Sequence, residues 1–253
     1  LSFEVEALSP HGGTMSAYGT VPVKPDSLSV LALDHEREFG ATIVWSGFAL
    51  AGGPDLLPQL GGEKRFVLDG SVLLAGTVDS LATLYGRGSI DSLEASFDRV
   101  AFSLSAPLEV EVARGDVEIP GAGIVATRRR VLGDAASGTL WLSGEVARDG
   151  ALAVDLILER VDVGGLIAAF APHASRAFEG TLDGEAAVRG TLAAPEGRLS
   201  WTVASPVIYG FVFSELAGDV ALVGDALVIE RAELRAPGGA VRVEGTVPLP
   251  RGA

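Results

Sequence analysis

The chain has 253 residues, with 33 glycines, 13 prolines, no cysteine and a formal net charge of −14. Disulfides and thiolate metal centres are excluded, and the acidic surplus argues against nucleic acid and against basic-patch docking on anionic headgroups. Apolar residues make up 48% of the chain but aromatics only 6%, so its apolar mass is Val, Leu, Ala and Ile, and no run approaches the roughly 18 uninterrupted apolar residues of a transmembrane helix.

In chain order, the first element is a strand in which Leu1, Phe3 and Val5 alternate with Ser2, Glu4 and Glu6. The one dense charge cluster follows, Asp34-His35-Glu36-Arg37-Glu38. Residues 54–60 read as a turn or a single helical turn, and residues 80–84 as a short helix. Leu108, Val110 and Val112 then alternate with Glu109 and Glu111, up to a turn at Arg114-Gly115-Asp116. Another turn, Arg148-Asp149-Gly150, precedes a strand with Leu152, Val154, Leu156 and Leu158 on one face. Residues 163–171 read as a helix capped by Asp162 and stopped before Pro172. Leu199, Trp201 and Val203 mark a further strand, as do Leu216, Val220 and Leu222. Turns at Val223-Gly224-Asp225 and Ala236-Pro237-Gly238 close the series. Hairpin after hairpin makes an antiparallel meander.

Five segments share one pattern, with glycines six apart at Gly13 and Gly19, Gly70 and Gly76, Gly138 and Gly144, Gly184 and Gly190, and Gly239 and Gly245. An even step puts both glycines of a strand on one face. Between and just after them on that face stand Met15, Ala17 and Val21; Val72, Leu74 and Val78; Leu140, Leu142 and Val146; Ala186, Val188 and Leu192; and Val241, Val243 and Val247. All are apolar, and the opposite face carries the charge. With Leu152, Val154, Leu156, Leu199, Trp201 and Val203, these residues form the candidate lining of an apolar surface. The segment from Gly12 to Val23 matches that from Gly238 to Leu249 in six of twelve residues. The chain therefore reads as one continuous repetitive β segment over 1–253, with repeat boundaries near 23–27 and 248–253. It begins in mid-pattern and is expected to be cut from a longer protein, any anchor or export signal lying outside it.

Signals for chemistry are weak. His11, His35 and His173 show no metal-ligand spacing, and His35 reads as part of a solvated loop. Arg128-Arg129-Arg130 reads as a strand edge that blocks pairing rather than a phosphate clasp. Trp45, Trp141 and Trp201 read as ordinary sheet residues rather than sugar platforms. Glu109 and Glu111 read as the polar half of a strand rather than a glycosidase pair. No nucleophile elbow, phosphate loop or zinc signature is present. The expectation is a non-enzymatic protein with no catalytic residues, no metal and no cofactor.

The stretch from Phe178 to Leu249 resembles the TamB family, within the AsmA-like group of bacterial envelope proteins. The resemblance rests on Gly180-Thr181-Leu182-Asp183-Gly184, Gly190-Thr191-Leu192-Ala193-Ala194-Pro195, Leu216-Ala217-Gly218, Gly224-Asp225-Ala226-Leu227, and Gly238-Gly239 leading to Gly245-Thr246-Val247, in that order. Leu1 to Val23 is similar to the end of a preceding repeat. The resemblance implies an all-β fold, a long antiparallel sheet curled into an open trough with an apolar lining (a β-taco), here with one or two short helices. It implies a periplasmic location in a diderm bacterium, with the full-length protein anchored in the inner membrane. The implied function is phospholipid transport between inner and outer membranes, with a role in outer-membrane protein assembly. Implied partners are phospholipid acyl chains and, through parts outside this segment, a BamA-related barrel of the TamA type. The alternative is a passive structural or adhesin-like β-domain with a closed sandwich core. Far-ultraviolet circular dichroism should show dominant β structure with helix below about 15%; a helix-dominated spectrum contradicts the all-β reading.

Overall fold

The computed structural model describes residues 1–9, 12–25, 31–34, 36–51, 64–97, 100–128, 136–164, 167, 178–191, 193–224 and 226–248. The chain is all-β, as the alternation predicts. Its strands are β1 (Ser2–Leu8), β2 (Thr14–Thr20), β3 (Val23–Pro25), β4 (Leu31–Leu33), β5 (Glu38–Ala51), β6 (Lys64–Thr77), β7 (Tyr85–Phe97), β8 (Val100–Leu104) and β9 (Leu108–Ala113). They continue as β10 (Asp116–Arg128), β11 (Ala136–Val146), β12 (Ala151–Asp162), β13 (Phe178–Thr191), β14 (Ala194–Ile208), β15 (Phe211–Val212), β16 (Glu215–Val223), β17 (Ala226–Ala236) and β18 (Gly239–Pro248). The turns lie where Gly and Pro punctuate the alternation, at Arg114-Gly115, Arg148-Asp149-Gly150 and Pro237-Gly238.

Sixteen strands form one antiparallel sheet, in the order β1-β2-β5-β6-β7-β8-β10-β11-β12-β13-β14-β16-β17-β18, with β9 between β7 and β10 and β15 on β14. β3 and β4 pair with each other in a separate two-stranded sheet. Neighbours in the chain are thus almost always neighbours in the sheet. β1 and β18 are its two edges and do not pair with each other, so the sheet is open.

Helix is scarce. A 3₁₀ turn at Leu81–Thr83 falls within the short helix expected at 80–84. Val163, Gly164 and Ile167 are helical, consistent with a helix after Asp162. The rest of 163–171, the 54–60 turn, the three histidines, Arg129, Arg130 and Leu192 lie outside the described residues.

Long paired strands are often corrected locally by one extra residue, which bends the strand and increases its twist. Here the correction is a β-bulge in every second strand from β5 onward. In β5, Trp45 and Phe48 stand three apart opposite Gly70 and Leu68, which stand two apart. The same extra residue occurs in β7 between Ile90 and Ser92, in β10 between Ile119 and Ala122 and in β12 between Leu158 and Val161. It recurs in β14 between Ala204 and Val207 and in β17 between Ile229 and Ala232. The strands between them, β6, β11, β13, β16 and β18, contribute no extra residue.

Each bulge changes parity. One added residue would normally turn the remainder of a strand over, but the sequence switches with it. The apolar set moves from odd to even numbers between Trp45 and Phe48, Ile119 and Ala122, Val203 and Pro206, and Ile229 and Ala232, and from even to odd between Ile90 and Leu93 and between Leu158 and Val161. The apolar residues therefore keep one face across the bulge.

Two bulges are closed the same way. Gly47 in β5 and Arg160 in β12 have left-handed backbone, with φ of 55° and 49°. The Gly47 N–H donates to Asp69 Oδ1 at 2.5 Å, and the Arg160 N–H to Asp183 Oδ1 at 2.9 Å. Both carboxylates come from a Leu-Asp-Gly triplet on the next strand, Leu68-Asp69-Gly70 and Leu182-Asp183-Gly184. Asp69 also accepts the Ser92 hydroxyl at 2.5 Å.

Burial is sparse. Ala95 packs under Phe66, Leu93 and Phe102, and Leu108, Val112, Leu158, Val161 and Val203 are buried elsewhere on the apolar face.

The bulge caps have a pH signature. The Ser92 hydroxyl, then the Gly47 N–H, hold the Asp69 carboxyl below its ordinary value, against an opposing effect of burial and with a lesser contribution from the Ser46 hydroxyl. A carboxyl depressed on folding contributes stability above its unfolded pKa, and that contribution is lost as pH falls through the folded pKa. Asp69→Ala should lower Tm at pH 7, with the gap to the parent narrowing in acid below about pH 4. An equal gap at both pH values, measured by thermal melts, contradicts the assignment.

Candidate functional site

The apolar face is continuous through the ladder. One register row runs Gly19, Ala41, Leu74, Gly86, Val112, Val117, Val146, Leu152, Gly190 and Pro195, from β2 to β14. A second runs Ala122, Leu142, Leu156, Ala186, Leu199, Val220, Ile229 and Gly245, from β10 to β18. Neither contains a polar side chain. Cross-strand apolar pairs at such spacing stabilise the pairing itself.

The candidate lining residues fall largely on this face. Met15 and Ala17 lie on β2, Val72 and Leu74 on β6, Leu140, Leu142 and Val146 on β11, and Leu152, Val154 and Leu156 on β12. Val188 lies on β13, with Leu199, Trp201 and Val203 on β14. Most are half-buried, and Val203 is buried. Val21 follows β2 and donates its N–H to the Leu1 carbonyl at 2.8 Å. Val241, Val243 and Val247 lie on the edge strand β18 and are exposed, because no strand covers its outer side. Val78 does not belong to the face. It stands in the turn after β6, exposed, because the Thr77 N–H turns to the Thr83 hydroxyl at 2.8 Å and ends the ladder.

The three tryptophans share one environment that the sequence reading missed. Trp45 is paired with Gly70, Trp141 with Gly123 and Trp201 with Gly218. A Cβ built on those glycines would come within 2.9, 2.9 and 2.8 Å of the respective indole rings. Each ring thus lies over the space a cross-strand side chain would fill, the aromatic cover of glycine known in sheets. Trp45 and Trp201 lie on the apolar face. Trp141 lies on the other, 45% exposed, and donates its Nε1–H to Glu159 at 3.0 Å. The Trp45 Nε1 is buried and has no hydrogen-bond partner among the described residues.

The opposite face is laced with cross-strand ion pairs: Arg87 with Glu111 at 3.1 Å, Arg189 with Asp155 at 2.6 Å, and Arg198 with Glu230 at 3.3 Å. Glu111, weighed above as half of a carboxylate pair, is thus occupied by Arg87. Glu233 is the one charged residue buried among the described residues, and it accepts from Arg235 at 2.6 Å and Arg242 at 2.8 Å. Arg235 first, then Arg242, hold its carboxyl below the ordinary value, against burial. A shallow cleft of about 450 Å³ is lined by Ile157, Asp183, Glu185, Ser200, Asp219 and Arg231 among others. Its polar groups bond internally, Ser200 to Asp219 at 2.8 Å and Arg231 to Asp219 at 3.5 Å, while Asp183 caps the β12 bulge. Among the described residues no group of three or more His, Asp or Glu is placed to hold a metal ion.

What the arrangement can do is hold apolar matter. The two faces differ in chemistry, and among the described residues the apolar one carries no charged group to fix a single pose. No protein-family model, curated protein or solved structure matches this chain.

Face assignment is checked most directly on β12, whose exposure alternates residue by residue. Cysteine at position 155 should react several-fold faster with a charged thiol reagent than cysteine at 156. Equal rates would contradict the assignment.

Proposed function

We propose that this chain is a lipid-conduit segment of the TamB kind, in which the apolar face lines a trough for phospholipid acyl chains. The observation that carries the reading is an apolar face that runs from β2 to β18 with most of its side chains only half-buried. In a closed sandwich, two such faces bury each other about 10 Å apart. Here the side chains of Leu152, Val154 and Leu156 all keep part of their surface. Fourteen strands in series exceed the roughly ten at which a twisted open sheet stays uncurled, and curling toward the apolar side shelters it from water.

Acyl chains supply the missing apolar contact, each buried methylene contributing about 0.8 kcal/mol. The contact is non-directional, and equivalent rows succeed one another from strand to strand, so a lipid moves along the sheet without meeting a charge. A charge on that face would have to be desolvated at every passage. Headgroups stay at the open side. The setting that fits is the periplasm of a diderm bacterium, with phospholipid moving between its inner and outer membranes. Outer-membrane protein assembly with a TamA-like barrel belongs to the same reading through parts beyond this segment.

Leu156→Arg and Leu199→Arg place a charge in the middle of the face, and Ala187→Arg places one on the opposite face between the same strands. The first two should stay folded, melt somewhat lower, and lose phospholipid photocrosslinks at least about tenfold. Ala187→Arg should crosslink like the parent. If all three crosslink alike, the conduit reading fails and a passive structural role replaces it.

A further inference from the structure

The hairpin between β14 and β15 does not belong to the lined face, and it breaks a local rule. Ile208 pairs with Phe211, so the turn is the two residues Tyr209 and Gly210, with φ of 49° and 83°. Two consecutive positive φ values define the tight hairpin turn that Asn-Gly or Asp-Gly normally fills. A bulky aromatic at its first position is an outlier. Another turn of this form among the described residues, Arg114-Gly115, carries a polar residue there.

Among the described residues nothing repays that choice. Tyr209 is 77% exposed, and beside it Phe211 is 71% and Val212 69% exposed. The strained position therefore presents an aromatic ring to the surroundings, in company with two more apolar side chains on a narrow projection. Pro206 beneath it is fully buried and anchors the hairpin's base, where the Phe213 N–H donates to the Pro206 carbonyl at 2.9 Å.

We propose that the Tyr209–Val212 tip is a membrane-interface anchor, inserting Tyr209, Phe211 and Val212 among the headgroups and upper acyl segments of a zwitterionic phospholipid bilayer. Three side chains supply at most roughly 500 Å² of contact, short of the about 800 Å² that each partner gives to a standard protein–protein interface. A shallow, reversible bilayer contact needs no more. Tyrosine and phenylalanine suit that depth, an apolar body beneath a polar or neutral edge. The charges nearest in register give no handle for an anionic surface. Glu179 stands opposite Val207, and Arg235 is engaged by Glu215 at 2.8 Å and Glu233 at 2.6 Å. The net charge of −14 points the same way. This contact is independent of the lined face, and its test reads binding to intact vesicles rather than lipid extraction.

The discriminating variant is Tyr209→Asn, which places in the turn the residue that its geometry favours. The full chain is floated with phosphatidylcholine vesicles, and Tm is measured in parallel. The parent should co-float. Tyr209→Asn should partition about tenfold less with Tm unchanged or raised, and Tyr209→Trp should restore binding. Leu73→Asn, which alters an exposed apolar residue elsewhere on the sheet, should bind like the parent. The proposal is overturned if the parent does not float or if Tyr209→Asn floats as well as the parent. A lower Tm in Tyr209→Asn overturns it too, since the ring then packs within the fold. So does a parent that self-associates in gel filtration where Tyr209→Asn does not, since the tip is then a contact between copies.

Discussion

A strand has two sides, and in this sheet one of them is apolar from near one edge to the other. Everything else in the structure is arranged to keep it so. Twist works against the arrangement, because a long strand drifts out of step with its neighbour. The bulges absorb the drift, and each one is matched by a step of three in the apolar pattern, as between Leu158 and Val161. At Gly47 and Arg160 the left-handed residue of the bulge donates its N–H to an aspartate on the next strand, and at Ser205 to the Ser214 carbonyl. The two aspartates stand on the opposite side, beside the cross-strand ion pairs.

Sorting by charge follows from the same constraint. Exposed ion pairs such as Arg87–Glu111 add little to stability individually. Their effect is on registry: a one-residue slip of either strand would carry Arg189 or Asp155 onto the apolar face and part the pair. Glu233 shows the stricter version of this rule. It is buried on the charged side, and its two guanidinium partners come from its own strand and from β18.

The strands and their order were legible in the sequence because alternation is a strong signal over elements like Leu152 to Leu158. The bulges were not read, although their signature is present as the interruption of a two-residue period by a three-residue one. Nor was the meaning of Leu-Asp-Gly, which looks like a turn signal until the N–H it captures on the neighbouring strand is known. Val78 was placed on the face by counting onward past Thr77, but a period of two says nothing about where a ladder stops. The pairing of each tryptophan with a glycine was also out of reach, since the partners lie 17 to 25 residues apart and only register brings them together.

Strands in this sheet make their contacts chiefly with hydrogen-bonded neighbours, and among the described residues no single core gathers them. The chain is therefore close to a one-dimensional object, its stability a sum of hairpin terms and nearest-neighbour terms. Such an object loosens at its edges before its middle melts. It frays inward from its edges, and amide protection should grade from β18 toward the middle strands rather than rise and fall with a global transition. It also gains stability by extension, since each added hairpin converts an edge into an interior strand. For a protein of this design, length is a thermodynamic variable as much as a geometric one.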